Sequence, residues 1–353
     1  MDPKEAYLGI GLRPELWRYC RHLNGSDAAS LYTRPQYAVA AILGVGRAVA
    51  ATVQKTLQEI DLKAESARLK RLEMAFLTPA DSAYPAALLD IYDPPSTIFV
   101  KGTLDLSSTA IAIVGARRCT GYGRTVAEDM AADLASAGVT VVSGMARGID
   151  SAAHLGALRA GRTVAVLGSG LDIIYPPENR TLARRIMAGG ALISEFPPGT
   201  PPRPLNFPAR NRLISGLSSA VVVVEASKRS GALITADFAL EQGKEVLVVP
   251  GSVRSPASAG CHDLLKQGAG LASSAGDVLE ALGLSPVGPA VVAANEPAAE
   301  SPILGLVDFS DTHVDDILAR AARPPHEVLS ELSLMEVRGL ICRQSGGWYI
   351  RLK

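Results

Sequence analysis

Residues 114–124 of the chain read VGARRCTGYGR, and they follow a short apolar run and end where a helical pattern begins. The same arrangement recurs in SGMARGID at residues 143–150 and in VLGSGLD at residues 166–172. The apolar runs before these turns are too short and too uniform for surface strands and are typical of buried parallel strands. Three β-turn-α units in succession therefore predict a parallel sheet that is covered by helices on both faces.

The glycine-rich turns predict an edge that binds anions. Glycine lets the backbone turn sharply and approach a ligand closely, and Gly115 and Gly170 stand at two of the strand exits. A helix that follows such a turn presents free backbone N–H groups and the positive end of its dipole. Ligands of parallel sheets bind outside the carboxyl ends of the strands, so all three turns should face one edge. Four arginines add positive charge beside these amides, namely Arg117, Arg118, Arg124 and Arg147.

Length and composition are those of a globular protein with one mid-sized domain and one or two small ones. The chain has 353 residues, of which 48% are hydrophobic and 20% charged, and its formal net charge is zero. A neutral chain argues against a protein that binds nucleic acid over a uniformly basic surface. Residues 109–281, however, hold 17 basic and 14 acidic residues, whereas residues 282–353 hold 6 and 9. The excess positive charge therefore lies in the middle of the chain.

Targeting and redox signals predict a cytoplasmic protein without membrane insertion. The N-terminus lacks the apolar core of a signal peptide, and no run of residues approaches membrane-spanning length. The four cysteines are scattered singly, which suggests neither a CxxC metal site nor a disulfide framework. The adjacent Cys261 and His262 have no partners spaced to complete a metal site. We therefore expect no metal and no cofactor.

The chain divides into four segments by pattern. Residues 1–78 are predicted to be helical and SAM-like or helix-hairpin-helix-like, since residues 42–50 have the form of a turn and second helix. A glycine-broken turn in a small helical domain also explains residues 42–50 and is the interpretation that we favour for them, because the surrounding sequence has no excess of positive charge. Residues 79–282 alternate strands and helices and predict an extended Rossmann-like α/β domain. Residues 283–302, rich in Pro and Ala, predict a flexible linker. Residues 303–353 predict a winged helix of three helices and a hairpin, and its acidic character favours contact with protein over DNA.

The proline-rich loop at residues 195–211 is too long for a simple connector, and loops of this length are usually functional. Proline stiffens the loop, so it can hold Arg203, Arg210 and Arg212 in place at low entropic cost. These arginines, together with Asn211, favour a functional loop over a rigid surface crossover.

No catalytic constellation stands out in the sequence. A triad of Ser143, His154 and Asp150 would need separated elements that converge, and Asp150 and His154 are more simply a helix-stabilising pair four residues apart. The GxGxxG dinucleotide fingerprint and the GxxxxGK[ST] P-loop are both missing. What remains is an arginine-lined edge with a few aromatic rings, which are Tyr122, Tyr175, Phe196 and Phe207. Arginines with stacking rings are typical of proteins that bind single-stranded nucleic acid with strong salt dependence.

Six linked motifs resemble those of the DprA/Smf family (DNA processing protein A). They lie at residues 117–123, 143–150, 167–176, 207–216, 230–236 and 249–251, and the match covers residues 80–281 closely. The helical N-terminal segment and the C-terminal winged helix also fit the family's three-part layout. Ala116 stands where the family usually has serine, so a hydroxyl contact to phosphate is lost there.

The resemblance implies a protein without enzymatic activity that binds single-stranded DNA, protects it from nucleases and loads RecA onto it during natural transformation. It also implies a homodimer through the Rossmann-like domain, with His262, Leu265 and Leu271 near the contact. By motif, Tyr175 would be the stacking ring of the DNA pocket. The pocket would include Arg117, Gly168, Ser169, Tyr175, Asn211 and Lys228 or Arg229.

A nucleotide-processing enzyme is the alternative interpretation. Phosphoribohydrolases, which release a base from a nucleoside monophosphate, also combine a Rossmann-like sheet with glycine-rich turns. Their PGGxGTxxE loop with its catalytic glutamate is missing, and Pro250-Gly251-Ser252 is its nearest counterpart here. A third interpretation is a scaffold that partners contact chiefly through the winged helix.

Overall fold

The computed structural model describes residues 2–13, 16–20, 22–284, 301–309, 311–337, 340–344 and 346–351. The chain divides into two compact units, Met1–Val287 and Gly288–Lys353. The first unit contains an N-terminal group of helices and a large sheet, and the second contains a small three-stranded sheet. Most of the linker predicted at residues 283–302 lies outside the described residues.

The N-terminal part of the first unit consists of short helices packed around their own core. They are α1 (Pro3–Gly11), α2 (Trp17–Cys20), α3 (Gly25–Ser30), α4 (Gln36–Leu43), α5 (Arg47–Gln58) and α6 (Leu62–Arg71). Asp2, Asn24 and Asp61 cap three of them, because each side chain accepts a hydrogen bond from a backbone N–H of the first turn. Leu31 and Leu57 are fully buried in the core that these helices share.

Glycine builds the turn between α4 and α5. Gly44 ends α4 in the left-handed conformation at φ 62°, and Gly46 directly precedes the first residue of α5. Among the described residues, no single helix has the length and apolar character needed to span a membrane. The helices α4 and α5 reach that length and composition only when they are counted together, and the chain bends by 103° between them.

The large sheet has nine strands. They are β1 (Ala75–Leu77), β2 (Ile98–Gly102), β3 (Ala110–Val114), β4 (Thr140–Ser143), β5 (Thr163–Val166), β6 (Ala191–Ser194), β7 (Ala220–Val223), β8 (Glu245–Val248) and β9 (Gly270–Leu271). Their order is β1-β2-β6-β5-β4-β3-β7-β8-β9. Every pairing from β6 to β9 is parallel, which confirms the predicted parallel sheet, whereas β1 and β2 extend it with antiparallel pairings.

Two edge strands are absent from the sequence prediction. The predicted helical segment 1–78 includes residues 75–77, but these form β1 and pair with residues 98–100 of β2, so the sheet begins at Ala75. The strand β9 has only two residues, both exposed. Strands this short carry no periodic pattern of apolar residues, and this is why the sequence does not reveal them.

Helices cover both faces of the sheet, as predicted. They are α7 (Gly121–Ser136), α8 (Ile149–Ala160), α9 (Arg180–Gly189), α10 (Asn206–Gly216), α11 (Gly231–Glu241), α12 (Ala259–Lys266) and α13 (Ala275–Ala281). Successive residues of β3 point to opposite faces: Ala112 packs in the core that contains α10 and α11, and Ile113 in the core that contains α7 and α8. Each strand of the centre is therefore buried on both sides.

The strand order reverses at β3. The chain fills the positions on one side of β3 with β4, β5 and β6, and then crosses back to place β7 on the other side. The connections leaving β3 and β7 consequently diverge, and they leave a crevice at the carboxyl ends of the strands.

The second unit is a small winged helix. It contains β10 (Thr312–His313), α14 (Val314–Ala321), α15 (Pro325–Val337), β11 (Ile341–Arg343) and β12 (Trp348–Arg351), with the strands in the order β10-β12-β11. Two details differ from the sequence prediction. The sequence pattern predicts a helix capped by Asp311, a second that opens at residues 324–325 and a third at residues 332–340. The last two are one continuous helix as far as Val337, α15, and His313 rather than Asp311 caps α14. Ile317, Val328 and Tyr349 are buried in the core of this unit.

The helices α7 and α8 pack closely against each other at Gly156. A Cβ at this position would overlap the backbone carbonyl of Glu128, which the rigid α7 cannot move aside. We expect Gly156→Ala to lower the free energy of unfolding by about 1–3 kcal/mol in urea denaturation. Gly276→Ala in α13 is the matched control, because the added methyl group meets only Ser274 Oγ at 3.4 Å and helix propensity improves. Equal stability of the two variants would contradict the close packing.

Candidate nucleic-acid interface

A groove of about 480 Å³ opens at the crevice between β3 and β7, and we call it the central groove. The turns that follow β3, β4 and β7 form its walls, together with the first turns of α10 and α11. Its lining residues are Val114, Gly115, Ala116, Arg117, Arg118, Ala146, Asp150, Phe207, Pro208, Arg210, Asn211, Ile214, Ser227, Ser230, Gly231, Ala232, Ile234, Thr235 and Ala257. This is the place where ligands of open parallel sheets bind.

A buried carboxylate fixes the turn after β3. Glu225, 2% exposed at the end of β7, accepts hydrogen bonds from the backbone N–H of Thr120 at 2.9 Å and from its hydroxyl at 2.5 Å. Thr120 in turn caps α7 by accepting from the Gly123 N–H at 3.1 Å. Because the end of the turn is anchored, the exposed Arg117 and Arg118 project from a rigid base at the rim of the groove.

An arginine and two aromatic rings form a row along one side of the groove. The guanidinium carbon of Arg117 lies 5.4 Å from the centre of the Phe207 ring, and that ring lies 5.5 Å from the Tyr175 ring, tilted by 41°. Gly168 permits this arrangement, since a Cβ there would come within 2.9 Å of Phe207. Tyr175 is 39% exposed, so one end of the row faces solvent with a π surface available for stacking.

Arg210 lies inside the wall of the groove rather than on its surface. The residue is 3% exposed, and its Nη1 donates to the carbonyl oxygens of Gly144, at 2.9 Å, and of Val166. Burial lowers the pKa of the Arg210 guanidinium to about 10, so the group remains charged at neutral pH. Asp150 is buried nearby, and burial raises the pKa of its carboxyl despite the attraction of Arg210. Arg210 therefore ties the exits of β4 and β5 together.

The structure brings some of the predicted DNA-binding residues together and separates others. Gly115, Arg117, Arg118, Arg210 and Asn211 line the central groove, and Gly168 and Tyr175 border it through Phe207. Arg124 and Arg229 are exposed and do not line it. Ser169 and Gly170 are buried, and the Ser169 hydroxyl donates to the Ile173 carbonyl at 2.7 Å.

Three of the basic residues that are predicted to bind DNA form ion pairs with carboxylates. Arg147 donates to Glu178 and the Lys228 Nζ lies 3.5 Å from an Asp263 oxygen, but all four side chains are at least 39% exposed, so these pairs are weak. Arg212 differs. Its side chain is 11% exposed and pairs with Glu195 through two contacts of 3.0 and 2.6 Å. This placement takes Arg212 out of the interface that we expected it to join.

The residues expected at a dimer contact lie on α12 and on β9, which follows β8 at the edge of the sheet. Leu271 is 52% exposed on β9, the last strand of the sheet, and Leu265 packs half-buried on the adjacent core. A ring nitrogen of His262 lies 3.0 Å from the Gly251 carbonyl oxygen. These three residues are outside the lining of the central groove.

The residues considered for a catalytic triad have other hydrogen-bond partners. The Ser143 hydroxyl donates to the Ile113 carbonyl at 2.6 Å, and both groups are buried. His154 Nδ1 lies 2.7 Å from the Thr163 hydroxyl oxygen, so the expected pairing of His154 with Asp150 is wrong. Burial lowers the pKa of His154 to about 3 and keeps the ring neutral. Ser143 and His154 are therefore not arranged as a nucleophile and its base.

The first turn of α11 supplies groove residues that sequence reasoning left out of the site. Ser230 caps this helix by accepting from the Ala232 N–H at 3.3 Å, and Ser230 lines the groove, so the N-terminus of α11 lies at it. Gly231 and Thr235 line the groove beside it. The signal was available, because Ser230 and Gly231 follow the apolar strand β7 as a helix-capping pair would.

Comparison with known proteins agrees with this architecture. The family described as DNA recombination-mediator protein A matches residues 75–283, and the DprA winged helix domain matches residues 288–347. The chain belongs to the DprA/Smf family. The Smf protein of Escherichia coli K12 is 44% identical over 290 residues, which are 78% of this chain and 77% of that protein.

Solved structures of family members share the fold. The DprA structure from Streptococcus pneumoniae superimposes with a TM-score of 0.65 at 35% identity and covers 76% of this chain and 97% of its own. The DprA structure from Helicobacter pylori, described for its single-stranded DNA binding mode, has a TM-score of 0.55 at 30% identity and covers 60% and 95%.

The buried position of Arg210 predicts a structural role that can be separated from ligand contact. We expect Arg210→Met to lower the free energy of unfolding by about 3–5 kcal/mol, because two buried carbonyls lose their donor and Asp150 loses a compensating charge. Arg117→Met, at an exposed position, should change stability by less than about 0.5 kcal/mol. Urea denaturation followed by circular dichroism measures both. An Arg210→Met protein as stable as the parent would refute the bridging role.

Proposed function

We propose that the central groove binds single-stranded DNA, with Arg117 and Arg118 on the phosphates and the rings of Phe207 and Tyr175 against the bases. The row formed by Arg117, Phe207 and Tyr175 carries this proposal. A base can stack on a ring only when it is unpaired, so a row of this kind favours a single strand over a duplex. The single-stranded DNA binding mode described for the Helicobacter pylori relative supports the same ligand.

The groove also suits a ligand bound without regard to sequence. Apart from the buried Asp150 and the amide of Asn211, its polar side chains carry guanidinium groups or hydroxyls such as those of Ser230 and Thr235, which fit phosphate oxygens better than one particular base edge. Ala116 has no hydroxyl to add to this set. Affinity should therefore come chiefly from charge and stacking, and it should fall steeply as salt is added.

The wider role that we propose is protection of incoming single-stranded DNA and loading of RecA onto it during natural transformation, in the cytoplasm and without catalysis. The description of the matching family as a recombination mediator supports a role before strand exchange. The hydrogen-bond partners of Ser143 and His154 support binding rather than hydrolysis.

Arg117→Ala is the direct test of the groove. We expect the affinity for oligothymidylate to fall about tenfold or more, because a charged hydrogen bond and a contact of the guanidinium with the Phe207 ring are lost together. The slope of log K against log salt should decrease by about 0.7. Fluorescence anisotropy across a salt series measures both quantities.

Arg162→Ala is the matched control for that experiment. Arg162 is an exposed arginine in the turn that enters β5, at the amino ends of the parallel strands and therefore opposite the groove. Removing it changes the net charge equally but should leave both affinity and slope near those of the parent. An Arg117→Ala protein that binds like the Arg162→Ala protein would rule out the groove as the site.

A homodimer through the edge at β9 is part of the same proposal. The apolar side chain of Leu271, half exposed on an edge strand, supports this surface because such edges are normally covered or charged. We expect Leu271→Glu to halve the mass measured by sedimentation equilibrium. Leu240→Glu is the control, since Leu240 is equally exposed, at 54%, on α11. Identical masses for the two variants would place the contact elsewhere.

A further inference from the structure

The helix that follows Tyr175 carries positive charge that the central groove does not use. From Tyr175 the chain passes through Pro176 and a short 3₁₀ turn at Pro177–Asn179 directly into α9. Leu182 and Ile186 bury one face of α9 against the sheet. Three arginines of α9 are exposed to solvent, which are Arg180, Arg184 and Arg185.

No counterion within the described residues neutralises these arginines. The helix α9 contains no acidic residue, and no described carboxylate forms an ion pair with Arg180, Arg184 or Arg185. The acidic groups nearest in sequence are engaged elsewhere: Glu178 accepts from Arg147, and Asp172 accepts from the Gly199 N–H at 2.8 Å. An ordinary solvated helix face mixes both signs of charge, so the exposed surface of α9 is suited to an anion.

A second cavity lies against this exposed surface. Its volume is about 370 Å³, and it is lined by Asp172, Ile173, Ile174, Arg180, Ala183, Arg184 and Met187. We call it the α9 groove. Two half-buried isoleucines and Met187 form an apolar floor, and Arg180 and Arg184 stand beside it about 6 Å apart along the helix axis. Apolar surface between two cations suits a flat base with its phosphates, whereas a simple inorganic anion would leave the floor unused.

We propose that the α9 groove is a second nucleotide subsite, in which Arg180 and Arg184 bind phosphates of the strand that leaves the central groove past Tyr175. This inference rests on the proposed function, because the α9 groove would bind further nucleotides of the strand that the central groove holds. Continuity carries it: only the short turn at Pro177–Asn179 separates the exposed ring of Tyr175 from Arg180. A base reaches the apolar floor only when it is unpaired, so the subsite takes single-stranded DNA rather than a duplex.

The test compares a short oligothymidylate of about 6 nucleotides with a long one of about 20, which exceeds the roughly 4–16 nucleotides that single-strand sites usually hold. We expect Arg180→Ala/Arg184→Ala to reduce affinity for the long oligonucleotide about tenfold and to leave affinity for the short one within about twofold of the parent. The salt slope for the long oligonucleotide should fall by about 1.4, corresponding to two phosphate contacts.

Two further variants serve as controls. They distinguish the loss of positive charge on α9 from the loss of positive charge elsewhere and from a loss of folded protein. Arg180→Lys/Arg184→Lys keeps the charges and should retain most of the affinity for the long oligonucleotide. Arg162→Ala/Lys244→Ala removes two charges from the turns entering β5 and β8, at the amino ends of the parallel strands, and should behave like the parent. A loss of equal size for both lengths, or no loss for either, overturns the subsite.

The same assay distinguishes failure of this inference from failure of the proposed function. If Arg117→Ala weakens both oligonucleotides while Arg180→Ala/Arg184→Ala weakens neither, the central groove stands and the α9 groove does not. If Arg117→Ala binds both like the parent while the α9 variant loses the long one, the strand runs over α9 without the central groove and the proposed site is wrong.

Discussion

A single buried guanidinium holds the functional edge of the sheet together. Parallel strands end in carbonyl groups that no neighbouring strand satisfies once the chain turns away, and Arg210 donates to two of these, from Gly144 and Val166. The cost of burying a charge is offset by these acceptors and by Asp150 beside it. Because Arg210 extends from α10, the same contact fixes the position of Phe207, one helical turn earlier, against the turn after β5. An interaction within the protein, between Arg210 and these carbonyl groups, thus defines the wall of the central groove.

Much of the fold follows from the sequence because the central strands are buried on both faces. The segments that become β3 and β7 are continuous apolar runs, those of β4 and β5 are apolar apart from a Thr or Ser at their ends, and the glycines and caps that follow them mark the turns. The edge strands β1 and β9 leave no such signal, because they are short and partly exposed. The division of α15 into two expected helices has a related cause, since a local change in apolar spacing resembles a helix end when the tertiary contacts that continue the helix are unknown.

The candidate site was less predictable because residue type does not reveal burial. Three arginines of similar appearance in the sequence have three different environments: Arg117 is exposed at the rim, Arg210 is buried on carbonyl groups, and Arg212 pairs with Glu195. The partner of Arg212 lies 17 residues away along the chain, and those of Arg210 lie 44 and 66 residues away. Such separations are set by the crossover topology. Sequence spacing alone therefore identifies the edge of the sheet but not which cations remain free on it.

The zero net charge of the chain is compatible with a polyanion ligand, because some of its cations are paired with carboxylates and others are free. What attracts a phosphate chain is the local excess of positive charge that is not paired, and the chain concentrates this excess on one edge while using acidic residues to pair other cations. Charge placed this way acts over about a Debye length, roughly 8 Å at physiological salt, so remote acidic residues do not cancel it. A neutral protein can then hold a single strand where its free arginines lie and present a surface of mixed positive and negative charge elsewhere, which limits nonspecific attachment to other polyanions.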